Sequence, residues 1–269
     1  MKKEERKKYY TIQIIGDIAL LKFKDKLPEE KKIEIANDIK KQIPRIKTVC
    51  ELERIEGEFR KPKLKILVGN DTKTIHKEHG ILYEIDVSKV MFSKGNLYER
   101  KRLAGLVKEN EIIVDMFAGI GYFSLGIAKY AKPKIIYAIE KNPKAFELLK
   151  KNIELNKVED KIFPILGDCR EVAKQKELQN IANRVIMGYL KNTQEFLPYA
   201  FLFLGNEGIV HFHNTYKKEE LWEKPIEELK DYAIKNNYKL VEVINKRIVK
   251  SYSPKVFHVV IDAKFSKLG

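Results

Sequence analysis

Two unbroken apolar runs, IIVDMF at 112–117 and IIYAIE at 135–140, interrupt a chain whose apolar positions elsewhere alternate or recur at helical spacing. A run without alternation predicts a strand covered on both faces, as in a parallel sheet flanked by helices. Between the runs, Ala118-Gly119-Ile120-Gly121 predicts a tight turn and the residues after it a helix. The segment 111–142 is therefore a strand–turn–helix–strand unit, and its glycines let backbone pass close beneath a ligand.

Upstream, YYTIQII and IALLKF predict two strands joined at Gly16-Asp17, a pair suited to a hairpin turn. Ile33, Ala36, Ile39 and Ile43 recur at helical spacing from Pro28 to Ile43, and Pro44 ends that helix. TVCELERIEG, KLKILVG and ILYEIDVSKVMF predict three further strands, and residues 2–8 a charged, frayed start. FSKGNLYERKRLAGLVKENE predicts a loop entering a helix, with Asn96 as cap and Leu97, Leu103 and Leu106 facing inward. Pro143 opens the helix after Glu140. KIFPILGDCREV then predicts a third strand, ending at Asp168, and RVIMGYLKN a fourth, ending at Gly188-Tyr189-Leu190. A helix through TQEFLPYAFLFL, a fifth strand GIVHFHN and a helix broken or begun at Pro225 follow. Two long strands meeting around Ser253-Pro254 close the chain as an antiparallel hairpin. The pattern predicts a small α+β N-terminal domain over 1–86 and an α/β domain over 87–269.

Composition adds a partner. Among 269 residues Lys+Arg number 53 against 38 Asp+Glu, a formal charge of +15. Heat-adapted chains are rich in Lys and Glu together, but that habit supplies both signs. An excess of this size points to a polyanionic partner, and nucleic acid is the expectation. The lysines at 22, 24, 26, 31, 32, 40, 41 and 47 are either a solvated face or part of that surface. Cys50 and Cys169 are too few and too far apart for a disulfide scaffold or a zinc cluster. No apolar run reaches the length of a membrane span, and the basic N-terminus lacks a signal-peptide core. The expectation is a soluble, cytoplasmic protein with no membrane association. His76 and His79, with His211 and His213, superficially resemble a ligand set. Without an accompanying Cys or Asp pattern they read as unrelated surface and strand residues, and no metal is expected.

The ligand of the glycine turn narrows by exclusion. A dinucleotide site shows G-x-G-x-x-G, whereas the third position here is Ser124. Asp115 ends the first strand, Glu140 the second and Asp168 the third. Carboxylates at three successive strand ends fit a nucleoside with an amino-acid tail. Asp115 and the amides around Gly119 and Gly121 would orient the tail's ammonium, Glu140 the ribose hydroxyls, and Asp168 with the Cys169 amide the adenine edge. Arg100 would lie one helical stretch ahead of the turn, either reaching a carboxylate or phosphate or pairing with a neighbouring Glu.

This arrangement resembles the Rossmann-like fold of class I S-adenosylmethionine (SAM) methyltransferases, a seven-stranded mixed sheet with a terminal antiparallel hairpin. FSKGNLYER, VDMFAGIGYFSL, AIEKNPKAFELLKKNIELNKVED, GDCREV and the RVIM strand further resemble the tRNA (guanine-N1)-methyltransferases acting just 3′ of the anticodon. Those enzymes carry Asn-Leu-Pro or Asn-Pro-Pro at the end of strand four and typically an extra N-terminal module. Gly188-Tyr189-Leu190 and HFHNTY at 211–216 are instead similar to a sister family, the wybutosine-pathway tRNA aminocarboxypropyltransferases of archaeal type. The resemblance implies that Ser93, Arg100 and Gly188 contact SAM alongside the residues already named. It implies transfer of the 3-amino-3-carboxypropyl group of SAM to a tricyclic guanosine derivative beside the tRNA(Phe) anticodon, by a monomer. Tyr189, or His213 with Asn214, would stack on the base or take its proton, while Tyr189 alternatively packs at the strand end. Methylation of the same nucleotide, or a silent SAM- or RNA-binding module, are the competing readings.

Overall fold

The computed structural model describes residues 9–269, so the charged start at 2–8 lies outside the described residues. The chain divides into two compact units that meet in sequence at Phe92 and Ser93.

In the first unit, β1 (Tyr10–Ile15) and β2 (Ile18–Phe23) pair antiparallel through the expected hairpin. Gly16 turns at φ +54°, and a side chain there would fall 2.0 Å from the Thr74 hydroxyl. The helix α1 (Glu29–Gln42) carries the chain across so that β3 (Thr48–Glu56) lies parallel to β2, and β4 (Lys61–Val68) completes the order β1-β2-β3-β4. The helix buries Ile35, Ala36 and Ile39, while Ile33, expected inside, is exposed. The stripe passes instead through Lys32, whose ammonium reaches Glu51 (2.7 Å) and lies over the Phe23 ring. An aliphatic stem with a paired head fills that position, which an apolar count does not register.

A hairpin of β5 (Lys73–Glu78) and β6 (Ile81–Asp86) follows. The apolar pattern does not announce β5, because Lys, His and Glu flank its exposed Ile75. Within it His76 accepts the Gly16 amide at 3.2 Å, and His79 turns at positive φ, so this histidine pair is built into strand and turn. The segment to Phe92 is not strand, yet it stays with the first unit. The Phe92 ring meets Tyr83 edge-on, and its carbonyl accepts from Gln13. These contacts move the boundary past the expected 86/87.

The second unit opens with α2 (Leu97–Leu106), then alternates β7 (Ile112–Asp115), α3 (Ser124–Tyr130), β8 (Ile135–Glu140), α4 (Pro143–Asn156), β9 (Ile162–Leu166), the short α5 (Cys169–Val172) and β10 (Ala182–Met187). After a 3-10 turn, α6 (Leu197–Phe203), β11 (Leu204–Lys217), α7 (Glu223–Lys235), β12 (Tyr238–Ser253) and β13 (Val256–Lys267) complete it. The seven strands lie in the order β12-β13-β11-β10-β7-β8-β9. Strands β7 to β11 are parallel, and β13 runs antiparallel between β11 and β12. This is the expected α/β architecture. No helix among the described residues is long and apolar enough to cross a membrane.

The helix α2 departs from its apolar pattern. Leu97 and Leu106 are exposed, and the buried face is Glu99, Arg100, Leu103 and Ala104. Its charges are matched within a buried network. Arg102 bonds both the Glu99 carboxylate and Asp262 on β13 (2.5 Å), and Asp262 meets His211 Nδ1 on β11 (2.5 Å). Arg184 on β10 then donates to His211 Nε2 (2.7 Å), to Glu111 (2.8 Å) and to the Leu106 carbonyl (3.1 Å). Because guanidinium only donates, His211 accepts at Nε2 and carries its proton on Nδ1 toward Asp262. Burial opposes the Asp262 charge, but His211 and Arg102 outweigh it and hold the carboxyl well below the usual range.

Candidate functional site

The central strand β7 lies between β8, which follows it through α3, and β10, reached only after the chain has passed through β9. Connections therefore leave the carboxyl ends of β7 and β10 in opposite directions, and a crevice opens at such a switch point. The glycine turn, Glu140 and Tyr189 lie at the carboxyl ends of β7, β8 and β10.

Gly119 (φ +60°) and Gly121 (φ +97°) form the turn after β7. A side chain at Gly119 would strike the Tyr122 ring at 2.4 Å, and one at Gly121 would strike Leu125 at 2.7 Å. Glu140, at the end of β8, is oriented by two amides: Oε2 accepts from Gly119 N and Oε1 from Asn142 N, both at 2.7 Å. Burial raises its pKa, opposed by these amide bonds.

Asp115 departs from its expected place. It is fully buried beneath the turn, with Oδ2 accepting from Ser124 Oγ (2.7 Å) and Oδ1 from Phe117 N (3.3 Å). Burial pushes its pKa up to about 7 against the pull of these two bonds. In this geometry the carboxyl ties the strand end to α3 and presents no surface to a ligand tail. Ser124 stands where a dinucleotide site has glycine because its hydroxyl satisfies this buried acid.

Asp168 caps α5 by accepting Arg170 N at 3.0 Å. The Arg170 guanidinium (2.6 Å) and Lys141 (3.2 Å) also hold its carboxylate, Arg170 above all keeping the pKa well below the usual range. Cys169 beside it is buried, and burial pushes its thiol up to about 12, so it is no nucleophile. Arg170 and Lys141 adjoin predicted residues, but no sequence pattern marks them as partners of Asp168.

Arg100 is buried rather than surface-paired, and Nη1 donates to the Ser93 carbonyl at 3.1 Å. Ser93 Oγ accepts from Lys250 on β12 at 2.7 Å. Lys250 stands 157 residues away along the chain, and no local pattern announces that contact.

At the end of β10, Gly188 lies against Phe123, where a side chain would come within 2.8 Å of the ring. The Tyr189 ring stacks on Phe117 (5.0 Å between centroids, 15° between planes), and Phe196 meets both edge-on. Arg170 lies over Phe196 at 5.4 Å.

His213 and Asn214 are not brought together. Successive strand residues project to opposite faces. His213 is buried, with Nδ1 3.0 Å from His258 Nε2, and burial pushes its pKa down to about 3. Asn214, on the other face, donates to Gln194 (2.8 Å) and the Tyr216 hydroxyl (3.2 Å). Both are sealed from solvent. Of the three residues expected to face an acceptor base, only Tyr189 stands at the crevice. His211 and His213 do share one strand face, as alternation requires. Among the described residues, no His, Cys, Asp and Glu gather in a metal-binding group.

The donor set suits a nucleoside with a charged tail: an oriented carboxylate on β8, a second at α5, a buried guanidinium and positive-φ glycines. It offers no Lys–Ser/Thr phosphate loop.

Comparison with known proteins agrees with this geometry. Residues 74–241 match the TRM5/TYW2 methyltransferase domain, and residues 2–72 the TYW2 N-terminal domain. The chain is 48% identical over 256 residues to the Methanocaldococcus jannaschii "tRNA(Phe) (4-demethylwyosine(37)-C(7)) aminocarboxypropyltransferase", covering 95% of this chain and 98% of that one. The crystal structure of Pyrococcus horikoshii TYW2 in complex with MeSAdo superposes with a TM-score of 0.85 at 38% identity, over 99% of this chain and 95% of that one. The complex of aTrm5 and tRNALeu gives a TM-score of 0.84 at 37% identity, over 97% of this chain and 74% of that one. Two-domain organisation, sheet order and full-length similarity together place it: the chain belongs to the TRM5/TYW2 family.

Proposed function

We propose that this protein transfers the 3-amino-3-carboxypropyl group of SAM to C7 of 4-demethylwyosine, 3′ of the tRNA(Phe) anticodon, leaving methylthioadenosine. The observation that carries the reading is the end of β10. Gly188 has no room for a side chain against Phe123, so the Asn of the methyltransferase pattern cannot occupy it without moving that ring. The 48% identity to an aminocarboxypropyltransferase supports the same choice.

When bound, SAM supplies a sulfonium whose carbons are already activated, so neither a metal nor a covalent enzyme intermediate is required. Glu140, preset by the Gly119 and Asn142 amides, holds the ribose hydroxyls. Asp168 and the Cys169 amide read the adenine edge, for which the Arg170 fork must give up part of its hold. Ser93 and Arg100 take the tail, while Phe117 and Met116 form an apolar wall that excludes water. Tyr189 positions the acceptor base by presenting a ring already stacked on Phe117. His213 and Asn214 act behind the site, keeping β11 in place. The protein works as a cytoplasmic monomer.

SAM labelled in the methyl or the carboxyl carbon, incubated with tRNA carrying the tricyclic precursor, decides the reaction. Carboxyl label entering RNA is expected; methyl label entering instead overturns the proposal in favour of methylation.

A further inference from the structure

On the second unit, one exposed aromatic is paired with cations of the sheet's edge strand. Tyr98, the second residue of α2, is 59% exposed, and the Arg247 guanidinium lies 3.6 Å from its ring centroid. Arg247 belongs to β12, which carries Lys239, Lys246, Arg247 and Lys250 against the single acid Glu242. Three residues beyond Arg247, Lys250 crosses to Ser93 Oγ, and Gly95 admits it: a side chain at Gly95 would fall 2.7 Å from Lys250 Cδ. Tyr252, further along the strand, is again an exposed aromatic. The contacts of Arg247 with Tyr98 and of Lys250 with Ser93 therefore lie three residues apart on β12, the second at the segment proposed to hold the SAM tail.

We propose that Tyr98 and Arg247 form the platform on which an unpaired tRNA base near the modified nucleotide stacks, with Lys250 taking an adjacent phosphate. The proposal deepens the function proposed above and rests on it for the choice of RNA. Proteins read unpaired RNA by stacking bases on aromatic rings or guanidinium planes, and a ring already covered by a guanidinium offers both at once. The cations also argue against the other use of an edge strand, pairing with a second copy of the chain, since charged edges oppose sheet extension.

The test measures binding of full-length protein to tRNA(Phe) bearing the tricyclic base, by fluorescence anisotropy at fixed salt. Tyr98→Ala and Arg247→Ala are each expected to weaken tRNA binding about tenfold, within the range for loss of one stacked base. Tyr98→Phe retains affinity. Lys239→Ala, which removes the same charge from the far end of β12, changes affinity less than about twofold. Calorimetry with SAM alone is expected to give the wild-type affinity for Tyr98→Ala, which shows that the variant is folded. Wild-type tRNA affinity in both Tyr98→Ala and Arg247→Ala overturns the proposal, as does an equal loss in Lys239→Ala. Wild-type protein that shows this tRNA-binding pattern but transfers no carboxyl label overturns the reaction assigned above and leaves the surface standing.

Discussion

The Tyr189 ring lies on that of Phe117, 5.0 Å between centroids, joining the carboxyl ends of β10 and β7 across the switch point of the sheet. Each ring belongs to a different strand–loop junction, and their contact defines one wall of the crevice. The stack assigns Tyr189 a positioning role through its ring rather than its hydroxyl. Tyr189→Phe is expected to retain transfer near the wild-type rate and Tyr189→Ala to lose it. A loss of about a hundredfold in Tyr189→Phe, as removal of a proton-transfer group brings, would refute that assignment in a steady-state rate measurement.

Glu140 holds two amides while keeping lone pairs for a ligand. In Glu140→Gln one amide of the pair faces an NH2 donor, and the ligand loses a charged acceptor. SAM affinity is expected to fall about ten- to a hundredfold, the worth of a charged hydrogen bond, in isothermal titration.

Ser124 Oγ is the side-chain partner of a fully buried acid. Ser124→Ala leaves that acceptor short of a donor and should cost ~1–3 kcal/mol of stability by urea unfolding.

Burial holds the Asp115 pKa at about 7 in the fold, well above the usual carboxylate range. The folded chain therefore binds this proton more tightly than the unfolded chain. Stability is favoured below the unfolded pKa and declines as pH rises through the folded one, by at most ~4 kcal/mol. Asp115→Asn, which cannot ionise, should flatten the decline between about pH 4 and 7 in urea midpoints followed across pH.

Arg184 is among the largest fully buried side chains and joins Glu111 to His211. Arg184→Ala strands both partners and is expected to destabilise by ~3–5 kcal/mol. The exposed pair of Lys31 and Glu34 sets the contrast. Lys31→Ala should change stability far less, because exposed ion pairs are screened by solvent. Comparison of the two chemical melts checks the difference.

Histidines and apolar positions show where pattern reading stopped. HFHN was legible as a strand with both histidines on one face, but not as a sealed one, because burial of His213 depends on Phe123 and His258 from other elements. Leu97 and Leu106 misled for a related reason. The inward face of α2 holds Glu99 and Arg100, and charges are buried only where partners meet them, here Arg102 and the Ser93 carbonyl.

The order of strands and helices from β7 onward, the glycine turn and the carboxylates at strand ends follow from the sequence alone. Each depends on periodicity or on spacing within one strand–helix unit, a length over which backbone geometry is set locally. Tertiary structure alone decided which acid faces the crevice and which is sealed beneath it, that Lys141 reaches Asp168, and that Lys250 reaches Ser93. Those relations depend on desolvation and on contacts between chain segments far apart in sequence, and neither leaves a periodic trace.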